Sequence, residues 1–433
     1  MFTNAQEQNS AGNRLLPIIY FAAGHLVLVA ALVLVALRPE AIAGFFLHPR
    51  LAAVVHAITL GWLTTSILGA LYVIWPVALG QPLRVGKLDY AACVLVLLGS
   101  LGVIAHLWID GYHSVGLSGL ALCLAAVPLV IRFLVALRTA RGPTEVRLHI
   151  ALALANLLLT LTLGILAAFH KRDPSLISVN DIDLALGHLH LGLLGWVGMM
   201  ILGAGYRLIP MFLPAHPVKG PRVWATAVLL ETGALGLAAS HIWHKSTAPL
   251  FGGIAALGLL RFLLNILSMA RQRVPAPPKA RRPDLGMLHA IQALLYLALC
   301  LPLGLWLVWS SEWPLNWVMV YGVFALLGFP AQFVIGIAMR LFPMFAWKEA
   351  WHASGFKQLP TSPHEMPTRP LQWLVLATWT PGVPMLAYGL AAGRQGWISL
   401  AAGLLALGAV AAATNSVRVL RHAFAHQGKG VPS

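Results

Sequence analysis

Seventeen histidines punctuate a chain that carries almost no other intramembrane chemistry, and several of them have spacings that suit metal ligation. His188 and His190 stand two residues apart on one apolar stretch; at helical pitch their side chains diverge by about 200° and can serve two different sites. His241 and His244, three apart, would share one helix face and could ligate one ion. His56, His106 and His25 lie in other apolar stretches. Neutral imidazole suits haem iron or copper better than hard cations. The alternative left open is that these are interfacial or core histidines satisfied by backbone carbonyls. Glu231 is the one carboxylate at the middle of an apolar span. It reads either as a proton relay towards His241 or as a carboxylic acid hydrogen-bonded to a neighbouring helix.

The elements that must hold these side chains are transmembrane helices. With 59% hydrophobic and 10% charged residues and apolar runs of twenty or more, the chain reads as a polytopic all-α membrane protein of twelve spans. The spans that matter here are Leu51 to Leu79 (second), Asp183 to Met211 (sixth), Pro221 to Trp243 (seventh) and Asn316 to Phe345 (tenth). Because even-numbered spans run towards the side on which both termini lie, His56, His188 and His190 fall near the opposite face. His241 and His244 end the seventh span at that same level, and His106 ends the third.

Three stretches repeat. His56-Ala-Ile-Thr-Leu-Gly-Trp with Ile67-Leu-Gly-Ala, Tyr72 and Pro76 returns in the middle of the chain as His190-Leu-Gly-Leu-Leu-Gly-Trp with Ile201-Leu-Gly-Ala, Tyr206 and Pro210. After almost the same interval it returns again as Leu327-Gly-Phe with Val334-Ile-Gly, Arg340 and Pro343. A period this long, with four spans in each unit, predicts three four-helix repeats around a pseudo-threefold axis, at 15–138, 147–271 and 285–421, within a single membrane domain spanning 1–433. Leu148-His149 and Leu288-His289 open the fifth and ninth spans alike, and are expected at the interface. Arg207 and Arg340 are expected to anchor helix ends there.

The net charge of +16 has a topological explanation. With the N-terminus inside, only Arg38, Arg50, Lys171, Arg172, Lys245 and Arg394 of the 29 Lys and Arg fall outside. The positive-inside rule therefore puts both termini in the cytoplasm, as expected of a multi-pass protein of a bacterial cytoplasmic (inner) membrane, and nucleic acid needs no place as a partner. Arg271, Arg273, Lys279, Arg281 and Arg282 form a Pro-rich basic linker expected to lie against anionic headgroups. Residues 1–13 have no basic n-region and do not read as a cleaved signal. Cys93, Cys123 and Cys300 sit in apolar spans without CxxC or CxxCH pairing, so covalent haem attachment and a disulfide framework are not expected. The Pro-bearing stretch Ala346 to Arg369 is expected to be an irregular loop.

Twelve spans in three arcs, His56 near the outer end of the second span, and His190, His241 and His244 on the sixth and seventh resemble the haem-copper oxidase subunit I superfamily. That group includes the large subunit of nitric-oxide reductases, and the chain is also similar to NnrS-type membrane proteins. The resemblance implies haem b, with copper or non-haem iron as a second metal. His56 would be a haem ligand; His190, His241 and His244 would be ligands of the second metal. The family's tenth span carries two histidines, whereas Asn316 to Phe345 has none, only Met319, Tyr321 and Met339. The resemblance therefore implies a departure in which a haem sits between the second and sixth spans on His56 with His188 or His190, and His106 or His25 supplies another axial ligand. Electrons would come from a separate cytochrome or quinol, Glu231 would handle protons, and the activity would be electron transfer or the binding or reduction of nitric oxide or oxygen. A transporter or metal-handling permease with a histidine-lined site, or a metal-free assembly scaffold, is the alternative.

Overall fold

A computed structural model describes residues 3–81, 83–275, 283–310 and 312–424. Among the described residues, twelve helices are long and apolar enough to cross a membrane. They are α1 (Arg14–Leu37), α2 (Pro49–Pro76), α3 (Lys87–Trp108), α4 (Tyr112–Thr139), α5 (Thr144–Arg172) and α6 (Asp181–Phe212). The second half contains α7 (Pro221–Trp243), α8 (Lys245–Arg271), α9 (Leu285–Trp309), α10 (Leu315–Ala353), α11 (Arg369–Ala391) and α12 (Gln395–Phe424). Among the described residues there is no strand beyond one isolated bridge, Ala215 to Arg273. The chain is a twelve-helix membrane protein. Lys279, Arg281 and Arg282 of the basic linker lie outside the described residues.

Sequence neighbours pack as antiparallel pairs: α3 with α4, α7 with α8, α9 with α10 and α11 with α12. α1 lies against both α2 and α12, which brings the two ends of the chain together. In α2, α6 and α10 the most apolar stretch is 72, 56 and 61% buried within the protein, against 22% in α9. The repeated segments thus form the inner wall and α9 turns mainly to lipid.

Each of those inner helices changes pitch at the same place. Ala57–Thr64 in α2, Leu191–Gly198 in α6 and Phe324–Ala331 in α10 all wind as π-helix, at corresponding positions of the three repeats. Such wide turns are rare and leave carbonyls facing sideways for other partners. Trp196 Nε1 in the second π stretch donates to Thr64 Oγ1 in the first at 2.9 Å, stitching α6 to α2.

Lower in the same helices, polar side chains tie each arc together. Tyr72 donates to the buried Asp89 at 2.7 Å, and Arg132 of α4 pairs with the same carboxylate. In the second arc Tyr206 bonds Thr226 and Asn265, each at 2.9 Å, replacing the ion pair with neutral groups. In the third, Met339 stands at the tyrosine position and Asn415 instead accepts from the Thr368 amide at 2.8 Å.

Two expectations are corrected here. α10 continues two turns beyond Phe345 to Ala353: residues 346–353 contain no proline, and Trp347 and Trp351, four apart, pack ring to ring at 5.0 Å. The irregular stretch starts only past Ser354. His149 and His289 are fully buried within the bundle, so neither reaches lipid headgroups. Each ring-bearing side chain lies over a glycine of the facing inner helix: a Cβ at Gly203 would come within 2.5 Å of His149 Cβ, and one at Gly336 within 3.1 Å of His289 Cβ.

Candidate metal centre

The histidines of the far end, opposite the termini, come together as two ring pairs. His56 of α2 and His188 of α6 have centroids 5.9 Å apart and planes within 13°. His190 of α6 and His241 of α7 have centroids 5.2 Å apart and planes within 17°. The helical pitch accounts for this division, since neighbouring positions 188 and 190 point to α2 and α7 respectively.

Local structure fixes the tautomer of three of the four. His56 and His190 end the α-helical part of their spans, immediately before the π stretch. Each folds its ring back so that Nδ1–H donates to the carbonyl four residues earlier, Ala52 and Leu186, at 2.8 Å in both cases. His188 Nδ1–H donates across to the Thr160 carbonyl of α5 at 2.9 Å. A carbonyl can only accept, so the remaining nitrogen, Nε2, keeps its lone pair in the neutral ring. A carbonyl on Nδ1 with a free Nε2 is how ligating histidines are usually oriented. Nothing in the sequence marks Gly164, yet the His188 ring depends on it: a Cβ there would stand 2.8 Å from His188 Cε1.

The other candidates stand apart. His106 Nδ1 meets Ser118 Oγ of α4 at 3.2 Å. His25 donates to the Phe21 carbonyl at 2.7 Å and lines an apolar cavity of about 100 Å³ in the bundle interior, with Trp62, Met200 and Met339. His244 does not share a face with His241, because α7 ends at Trp243 and His244 leaves the helix at φ −147°, ψ 77°, exposed. Near His241 the buried Asp183 pairs with Lys245 at 2.8 Å. Glu231 accepts from Asn156 Nδ2 at 2.7 Å, and the same amide reaches the Gly195 carbonyl in the π stretch of α6 at 3.2 Å. Thr160, whose carbonyl holds His188, donates its own hydroxyl to the Asn156 carbonyl at 2.7 Å. One column of α5 thus supports both His188 and Glu231.

Among the described residues no group of three or more His, Cys, Asp or Glu side chains converges on a point where a metal ion could be held. The arrangement therefore offers imidazoles two at a time. That donor set fits haem, whose macrocycle supplies four nitrogens and asks the protein for one or two axial ligands. It is short of what a fully protein-ligated copper or non-haem iron needs.

The family model for Cytochrome C and Quinol oxidase polypeptide I matches residues 11–244, more than half of the chain. The chain belongs to this oxidase subunit I family. The matched segment closes just after His241, so it contains both ring pairs. No curated protein matches the chain. At the position directly ahead of the π stretch, α2 has His56, α6 has His190 and α10 has Val323.

Proposed function

We propose that this oxidase-family chain is an integral-membrane haem protein of the bacterial inner membrane. It would hold haem b at the His56 and His188 pair near the periplasmic face, and serve electron transfer or the binding or reduction of nitric oxide or oxygen. The observation that carries the reading is the ring pair itself: two imidazoles on different helices, each pinned through Nδ1 to a carbonyl, each with Nε2 free. When bound, haem iron held by both imidazoles would supply one-electron redox chemistry, and a diatomic gas would bind there only by displacing one of them. The chain's own part is to fix the two rings, to keep water out with the apolar walls of α2 and α6, and to hold a proton at Glu231, whose carboxyl is kept in register by Asn156. His190 and His241 would contribute two ligands to a copper or non-haem iron whose remaining positions come from outside the protein. A cytochrome or quinol would deliver the electrons, and cytoplasmic termini follow from the lysine and arginine asymmetry.

The test is an optical spectrum of the detergent-purified protein, oxidised and dithionite-reduced, with pyridine haemochrome and iron and copper analysis on the same sample. Stoichiometric haem with a reducible band is the expected result. A colourless, iron-free preparation from haem-supplied cells would overturn the reading in favour of a permease or an assembly scaffold.

A further inference from the structure

Far from the histidine pairs, at the end of the bundle where the termini lie, a cavity of about 320 Å³ opens between α6, α9, α10 and α11. Its chemistry is lopsided. Arg340 and Arg369 line it together with His364 and Gln372, against a single carboxylate, Asp284. Arg340 donates to Asp284 at 3.0 Å and to the Phe212 carbonyl at 3.4 Å, with its guanidinium 5.7 Å from the centre of the Phe212 ring. These contacts make it a built part of the wall. Arg369 reaches the Pro283 carbonyl at 3.3 Å. Two helices, α9 from Leu285 and α11 from Arg369, start at the cavity, so their positive dipole ends add to the two guanidiniums. The lining also includes the apolar side chains of Met211 and Met344.

The volume corresponds to about ten waters at roughly 30 Å³ each. That is space for a tetrahedral anion with a small polar substituent, and a guanidinium fork matches phosphate oxygens two at a time. We propose that this cavity binds a phosphate-bearing ligand, held by Arg340, Arg369 and His364, with the two methionines receiving whatever apolar part the ligand carries. The phosphate can come from an anionic lipid headgroup entering from the membrane or from a soluble phosphate compound entering from the aqueous side. Neither source involves the metal centre, so the cavity's role is independent of the haem reading.

The experiment uses the full chain in two arms. In detergent, the thermal midpoint is followed against inorganic phosphate, with potassium chloride at matched ionic strength as control. In parallel, the protein is reconstituted into phosphatidylcholine nanodiscs with or without phosphatidylglycerol, and lipid retained per chain is counted by native mass spectrometry. Saturable stabilisation by phosphate identifies a soluble ligand; one retained phosphatidylglycerol identifies a headgroup. In either case Arg369→Gln and His364→Gln should weaken binding about tenfold, the loss expected for one hydrogen bond to a charged group. His364 is exposed, so its variant keeps the test open if Arg369→Gln fails to fold. No saturable binding in either arm, or binding unchanged in a folded variant, overturns the proposal.

Discussion

The first two arcs and the third share a backbone device but not its chemistry. All three inner helices widen into a π stretch at corresponding positions, yet the residue just ahead of it is His56 in α2, His190 in α6 and Val323 in α10. Since the third arc winds the same way without an imidazole, the π stretch is a property of helix packing in this fold and does not require a ligand. What differs is what surrounds it. In the first two arcs the widened turns meet Thr64, Trp196 and Asn156 through hydrogen bonds; in the third, the stretch packs on the Tyr296 ring, with Phe324 only 4.9 Å from that ring. The family match ends at residue 244, within the second arc, and so does not reach the third.

The contrast fails most visibly if the first two arcs hold no metal. His56→Ala and His188→Ala should each abolish or shift the haem Soret band of the purified protein, whereas His149→Ala, buried at the other end, should leave it in place. An unchanged spectrum for both of the first two would remove the ring pair from the centre. Glu231→Gln comes next in size: it keeps the Asn156 contact and the cofactor but cannot carry a proton. Turnover with nitric oxide or oxygen should fall about 100-fold, the lower end for general acid–base groups, with spectrum and metal content intact. Normal rates would make Glu231 a packing residue.

A smaller effect separates winding from chemistry. A Cβ at Gly328 would meet Tyr296 Cγ at 2.5 Å, and one at Gly195 would meet Asn156 Cγ at 2.8 Å. Either glycine to alanine change should cost about 1–3 kcal/mol of stability through overpacking, read as a lowered midpoint in detergent. Only Gly195→Ala, which also disturbs the Asn156 amide beneath Glu231 and next to the His188 support, should alter the optical spectrum as well. Equal spectral shifts in both variants would mean that the third arc takes part in the centre.

Much of this was legible in the sequence, for identifiable reasons. Hydropathy locates twelve spans because a membrane imposes length and apolarity on each one, and the seventh span coincides with Pro221–Trp243. Two residues of helical separation are enough to send His188 and His190 to different neighbours. What the sequence leaves unsaid depends on partners distant along the chain. Gly164 of α5 makes room for a ring carried by α6, and nothing local distinguishes it from other membrane glycines. The burial of His149 and His289 follows from Gly203 and Gly336 on facing helices, which no reading of the histidines' own helices supplies. The π stretches escape notice because their composition is ordinary for a span, and wide turns are chosen by packing rather than by propensity.

The smallest change is expected at His244, which the family resemblance and its spacing from His241 nominated as a ligand. An i, i+3 pair shares a face only while the helix continues, and α7 ends one residue too early. Beyond Trp243, α8 opens with a short 3₁₀ turn at Lys245–Thr247, and the Thr247 hydroxyl holds the His244 carbonyl at 2.8 Å. That contact fixes the backbone of His244, while its ring is left exposed. His244→Ala should therefore leave metal content, spectrum and thermal midpoint unchanged, in contrast to His241→Ala, which removes half of the second ring pair. A loss of copper or iron on His244→Ala equal to that on His241→Ala would show that α7 gains another turn when metal binds, and the second pair would then be a three-histidine site formed around its ion.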